Sequence, residues 1–281
     1  MNRNLYLLPI IFLFSDAGMR YPLAAQTPAD TFRLVLTLPG QARFATTDNL
    51  GNVYLVTPQN ALEKYAPDGR LLGRYSNSRL GAASWIDASN PLKILAWYGE
   101  FRTAVFLDRS MATLGELNLI AAGFPEVRNL AMAADGNLWM YDETAFQLFK
   151  ITPSGDRLFE SQRLNQLHPG RTHITCLRDN GNEVLASDPE TGVFWFDAYG
   201  QFVKFLPWKN IDTFVLNADR LEYLLEGALY REQLRTFVSE RLTLPPSARL
   251  HPTLAWLSPQ GYFLVQNGEL LEQWQWRGQG Q

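Results

Sequence analysis

Residues 48–73 read DNLGNVYLVTPQNALEKYAPDGRLLG, and residues 134–159 read ADGNLWMYDETAFQLFKITPSGDRLF. Both run from an acidic residue through Gly-Asn, an apolar-aromatic run, a polar loop and a second apolar run. Both then close with a Pro-containing Gly turn and Arg-Leu. Asn and Gly accept positive φ and Pro presets its own, so the breaks between apolar runs are tight turns. The runs are four to six residues long and rich in Val, Leu, Tyr and Trp, which fits strands.

Aligning the chain on the turn glycine before the apolar run gives Gly51, Gly136, Gly181 and Gly261. The spacings are 136 − 51 = 85, 181 − 136 = 45 and 261 − 181 = 80 residues. The two long gaps each hold a weaker unit, NPLKILAWYGEFRTAVFLDRSMATLGELNL at 90–119 and ADRLEYLLEGALYREQLRTFVSERLTL at 218–244. That makes six units of roughly 40 residues, a period at which four antiparallel strands repeat as the blades of a β-propeller. The first unit is expected to place strands at Ala42–Thr47, Val53–Thr57, Ala61–Tyr65 and Leu71–Tyr75. The last unit stops one strand short, while TFRLVLTLPG at 31–40 is a strand with no unit of its own. Thr31–Leu38 is therefore expected to complete the sixth blade as its outermost strand, sealing the ring. The fold class is all-β, a six-bladed propeller occupying 26–281 as a single domain.

The units resemble the NHL and TolB-like class of six-bladed propellers. The likeness rests on the Gly-Asn-x-Tyr/Trp runs at Gly51–Tyr54 and Gly136–Trp139 and on the turns APDG at Ala66–Gly69 and TPSG at Thr152–Gly155. It extends over nearly all of the chain beyond residue 25 and leads to exported propellers of Gram-negative bacteria. It implies a fold and no activity.

Composition narrows the function classes. Hydrophobic residues make up 46%, charged residues 19%, and net charge is −3, with Lys and Arg scattered singly. No basic stripe is available to neutralise a phosphate backbone, which argues against nucleic acid as a partner. The segment MNRNLYLLPIIFLFSDAGMRYPLAA at 1–25 has a positive start, an apolar core of about ten residues and a small-residue exit. It predicts a signal peptide, too short to span a bilayer. The remaining chain is expected to be soluble, periplasmic or extracellular. No Cys lies near Ala25 to carry a lipid anchor; Cys176 is the only one and reads as a buried residue of an inner strand.

In a propeller the loops joining second to third strands, and those joining successive blades, gather on one face around the channel mouth, where function usually sits. Three carboxylates, Asp142, Asp188 and Glu226, fall near the ends of second strands in consecutive blades, with Glu190 in the acidic loop SDPETG at Ser187–Gly192. They could gather around Ca²⁺, or be solvated or paired with Arg102, Arg128 and Arg178; no calcium-loop spacing supports the ion. His168, His173 and His251 fall on or beside the same loops, but no short ligand pair supports Zn²⁺, so no cofactor is assigned. Trp97 and Trp208, with Trp85, are the aromatic candidates for ligand stacking. No nucleophile elbow, P-loop or dinucleotide fingerprint occurs. The reading is a noncatalytic, monomeric exported propeller that binds an envelope or secreted protein, a peptide or a glycan, using Trp97, Arg102, Arg128, Asp142, His173, Asp188, Glu190, Trp208, Glu226 and His251. The alternatives are a hydrolase or lyase with a metal or carboxylates at the channel mouth, and a glycan binder.

Overall fold

The computed structural model describes residues 31–168, 172–249, 252 and 254–277. Strand β1 (Thr31–Pro39) comes first, and blade one follows as β2 (Phe44–Thr47), β3 (Val53–Val56), β4 (Ala61–Tyr65) and β5 (Leu71–Ser76). Blade two is β6 (Trp85–Asp87), β7 (Ile94–Tyr98), β8 (Thr103–Leu107) and β9 (Thr113–Asn118). Blade three is β10 (Val127–Met132), β11 (Leu138–Asp142), β12 (Gln147–Ile151) and β13 (Arg157–Glu160). Blade four is β14 (Cys176–Asp179), β15 (Glu183–Asp188), β16 (Gly192–Asp197) and β17 (Phe202–Leu206). Blade five is β18 (Phe214–Asn217), β19 (Arg220–Leu225), β20 (Ala228–Gln233) and β21 (Ser239–Leu242). Blade six holds β22 (Leu254–Ser258), β23 (Tyr262–Asn267) and β24 (Leu270–Arg277), with β1 as its fourth strand. Six four-stranded antiparallel sheets thus form the ring, and the expected closure is present: Thr31 pairs with Arg277 and Pro39 with Leu270.

The turn chemistry explains where strands stop. Gly51, Gly136, Gly181 and Gly261 all take positive φ, at 81, 81, 91 and 75°, the region where a Cβ is unfavourable. In blade one the buried Asp48 carboxylate organises this turn. It accepts from the Leu50 and Asn52 amides, both at 2.9 Å, and from the Tyr54 hydroxyl at 2.9 Å. That bond and burial push the Tyr54 phenol well above its usual range, burial being the larger cause. Inner strands are buried on both faces, as in β3, β7, β8 and β11, whereas outermost strands such as β5 and β13 are largely exposed. Among the described residues only short helical turns interrupt the sheets: a one-turn helix α1 (Leu164–Leu167) and three 3₁₀ turns. Among the described residues no helix is long and apolar enough to cross a membrane.

The hydrophobic core is divided among the seams between blades. One apolar cluster fills each seam, such as Trp139, Tyr141, Val184, Phe194 and Phe196 between blades three and four. On the face carrying the short turns, side chains also stitch each seam. Lys64 Nζ donates to the Arg109 carbonyl at 2.9 Å, Lys93 Nζ to that of Gly136 at 3.1 Å, and Trp139 Nε1 to Asp179 Oδ2 at 2.8 Å. Asn180 Nδ2 donates to the Ala218 carbonyl at 2.6 Å and Gln273 Nε2 to that of Gly51 at 3.4 Å. Between blades five and six the stitch is of another kind, the Arg231 guanidinium lying 3.8 Å from the centroid of the Trp276 ring.

Candidate functional site

The residues expected on the loop face do not form one ring of ligands around the channel mouth. They separate into a cluster between blades three and four and a set of turn or core positions elsewhere.

Asp142 closes β11, and its Oδ1 accepts from the amides of Thr144 at 2.8 Å and Ala145 at 3.0 Å. Asp188 closes β15 in the same way, accepting from the Glu190 amide at 2.9 Å and the Thr191 amide at 3.3 Å. Its second oxygen accepts the His173 amide at 2.9 Å, tying the loop between blades three and four to blade four. Both carboxylates are buried. A buried anion needs donors, and here backbone amides supply them.

Glu143, one residue beyond β11, joins the exposed groups. Its Oε2 accepts from Arg128 Nε at 3.1 Å, and its Oε1 lies 3.1 Å from His173 Nδ1. Arg128 and His173 side chains are half exposed, at 50% and 53%, while that of Glu143 is only 14% exposed, so the carboxylate sits beneath two polar ends that solvent or a partner reaches. Tyr141 lies below. Burial foremost, together with the charges of Glu143, Asp188 and Asp142, pushes its phenol up to about 12. Arg128 is the counter-charge to Glu143 here. Sequence reading missed Glu143. Its signal was faint: the residue directly after a second strand, in the same loop as a candidate already chosen.

The other candidates are placed as follows. Trp97, expected to offer a stacking face, is instead fully buried in the seam between blades two and three, where its Nε1 donates to the Arg128 carbonyl at 3.0 Å. The reason is register: it lies in β7, whose five residues are all buried. Trp85 packs against the same cluster. Trp208 is half buried against the seam between blades four and five, edge-on to Phe237 with centroids 6.5 Å apart. Arg102 ends the 3₁₀ turn Gly99–Phe101 in a left-handed conformation, and its Nη1 donates back to the Gly99 carbonyl. Glu190 is exposed in the loop that Asp188 caps, and Glu226 is exposed in the two-residue turn between β19 and β20, at φ 49°. His168 caps α1 and stacks 4.9 Å from Phe205, a core-edge position. Cys176 is buried on the innermost strand of blade four, as expected. His251 and residues 1–25 lie outside the described residues. Among the described residues no three His, Cys, Asp or Glu side chains converge as a metal site requires.

No family model and no curated protein matches the chain. Solved structures do. A streptogramin B lyase aligns with a TM-score of 0.59 at 10% identity, over 88% of this chain and 98% of that one. Virginiamycin B lyase from Staphylococcus aureus aligns with a TM-score of 0.57 at 12% identity, over 89% and 90%. A catalytically inactive variant of that enzyme with quinupristin aligns with a TM-score of 0.55 at 12% identity, over 87% and 98%. At such identities the likeness is one of fold, a six-bladed propeller.

Proposed function

We propose that the protein is a binding or scaffolding propeller of the bacterial envelope that engages a protein or peptide partner through the loop face at blades three and four. One observation carries this reading. The buried carboxylates that catalysis would need, Asp142 and Asp188, spend their lone pairs on backbone amides, whereas Arg128 and His173 stand half exposed on the shared Glu143. Such an arrangement fixes polar ends in place before contact, which lowers the ordering cost of binding. Arg is also among the residues that most often anchor interfaces. Export of the chain is part of this proposal and rests on the pattern of residues 1–25. The test is affinity purification of tagged protein from mildly crosslinked envelopes, beside an Arg128→Glu variant. A partner recovered in near-equal amount with the native protein and lost with the variant supports the reading. Recovery of the propeller alone from both removes it.

A second reading, a lyase or hydrolase, is favoured by the His173–Glu143 contact together with the fold shared with lyases. A carboxylate beside an imidazole orients it as a general base. Incubation with quinupristin, followed by chromatography, tests it. Loss of substrate that vanishes in His173→Ala supports the lyase, and unchanged quinupristin counts against it.

A further inference from the structure

Two asparagines of the chain precede a glycine, Asn180 before Gly181 and Asn267 before Gly268. Such a pair is chemically open, because glycine has no side chain to crowd its own amide nitrogen when that nitrogen attacks the asparagine. Both asparagines are half-buried, and both glycines are exposed at positive φ, 91° and 58°. Exposure therefore does not separate the two pairs; hydrogen bonding does.

Asn180 is locked in place. Its Nδ2 donates to the Ala218 carbonyl at 2.6 Å across the seam to blade five, and its Oδ1 accepts the amides of Asn182 at 3.0 Å and Glu183 at 2.9 Å. The Gly181 amide is itself engaged, donating to Asp179 Oδ1. Asn267 ends β23 opposite Leu270, and Gly268 follows as the first residue of an exposed hairpin turn. Among the described residues neither the Asn267 side chain nor the Gly268 amide makes a hydrogen bond.

We propose that Asn267 is a site of spontaneous deamidation and that Asn180, in the same dipeptide, is protected by the fold. The Gly268 nitrogen attacks the side-chain carbonyl carbon of Asn267, and the new C–N bond closes a succinimide ring. The bond to Nδ2 breaks, and ammonia leaves carrying the Gly268 amide proton. Water then opens the ring at either carbonyl, giving aspartate or a β-linked isoaspartate. At Asn180 the same step must first give up the bonds to Ala218, Asn182, Glu183 and Asp179, so it is expected to run at least about thirtyfold slower.

The hairpin after Asn267 clasps the chain where β1 passes to blade one. The Glu269 carbonyl accepts the Gly40 amide at 2.7 Å, and the Gly268 carbonyl accepts Gln266 Nε2 at 2.8 Å. Gln266 Nε2 also donates to the Gly40 carbonyl at 3.0 Å, and its Oε1 accepts the Ala42 amide at 3.1 Å. An isoaspartate at 267 lengthens the backbone by a methylene just before these carbonyls and shifts them from their partners. Deamidation thus loosens the closure of the ring. The site is independent of the function proposed for Arg128 and His173.

The test incubates the purified protein in heavy-oxygen water at mildly alkaline pH, digests it in ordinary water and maps the label by peptide mass spectrometry. The Asn267 peptide is expected to gain label at least about thirtyfold faster than the Asn180 peptide, and denaturant is expected to bring the two rates within about threefold. Equal rates in the folded protein, or an Asn267 that stays an amide as long as Asn180 does, would overturn the assignment. So would a difference that persists in denaturant, since sequence rather than fold would then set it. For the clasp, the native protein is expected to lose melting temperature on ageing while Asn267→Gln, whose longer side chain resists ring closure, holds its own value. Equal losses in the two would remove the link to ring closure.

Discussion

Between blades three and four, twelve buried apolar residues meet, Trp139 among them. Between blades five and six the cluster among the described residues has four, Leu229, Leu242, Phe263 and Val265, and the turn-face end of that seam is built from charge instead. The backbone is the same in both. Trp139 pairs with Lys150 across β11 and β12, and Glu222 pairs with Arg231 across β19 and β20 at the matching step. In blade three the ring fills the seam, its Nε1 meets Asp179, and Lys150 lies over it at 5.2 Å while pairing with Asp135. In blade five a carboxylate replaces the ring, so the cation turns to Glu222 and borrows its aromatic surface from Trp276 of the next blade. A repeated fold thus converts one position from apolar packing to a buried ion pair without moving the chain.

The most damaging way to break this comparison is to remove β1. Without residues 31–39, β24 becomes an open edge and loses Phe32, which packs against Phe263 with centroids 5.9 Å apart. Loss of a single cooperative thermal transition, with aggregation, is the expected result. A transition of unchanged sharpness would show that the closure is dispensable. Next in size, Trp139→Ala should lower stability by about 4–5 kcal/mol in denaturant unfolding, since a large buried ring leaves a cavity. Glu222→Ala should cost about 3 kcal/mol by leaving the buried Arg231 with only the longer pair to Glu240 at 3.7 Å. Replacing both partners with apolar residues, Glu222→Leu with Arg231→Met, should recover most of it, because the desolvation penalty disappears with the charges.

The smallest effect sharpens the contrast within blade five itself. Glu232 is buried in the same sheet as Glu222 but meets hydroxyls alone, Tyr223 at 3.0 Å and Ser239 at 2.7 Å. Burial raises its pKa, outweighing both hydrogen bonds, so the folded state holds this proton more tightly than the unfolded chain does. Between the ordinary carboxyl range and the raised value the folded state binds more protons, and stability therefore falls as pH rises through that window. Glu232→Gln, which keeps an acceptor for both hydroxyls, should flatten this part of the profile of melting temperature against pH. An unaltered slope would assign the pH dependence to other groups.

The ring was legible because its signals are local. Gly51, Gly136, Gly181 and Gly261 sit where the backbone must take positive φ, and the unpaired strand at residue 31 matched the strand missing from the last unit. Strand ends were less sharp: the first unit's inner strand begins at Phe44 rather than Ala42. The candidate site was half legible. Loop positions such as Asp142, Asp188 and His173 were found, yet nothing local announced that the two aspartates cap turns, or that Glu143 links Arg128, 15 residues before it, with His173, 30 residues after it. Trp97 misled because a tryptophan near a loop and one buried in a short strand look alike until the register is known. Glu222 and Arg231 stand symmetrically about the turn Glu226–Gly227, so their pairing was readable in principle. Trp276 joins them from across the seam, on the blade that β1 closes.

That closure also sets how the molecule meets force. β1 enters the sixth blade at Thr31 beside the point where β24 leaves it at Arg277, and the two strands run antiparallel from there to Pro39 and Leu270. Tension between the chain before Thr31 and the chain after Arg277 therefore loads the hydrogen-bonded pairs one after another, like a zip, rather than all at once in shear. Tethered by those two points the propeller is mechanically soft: its first rupture is the peeling of one strand, and the five blades made of contiguous chain open only afterwards.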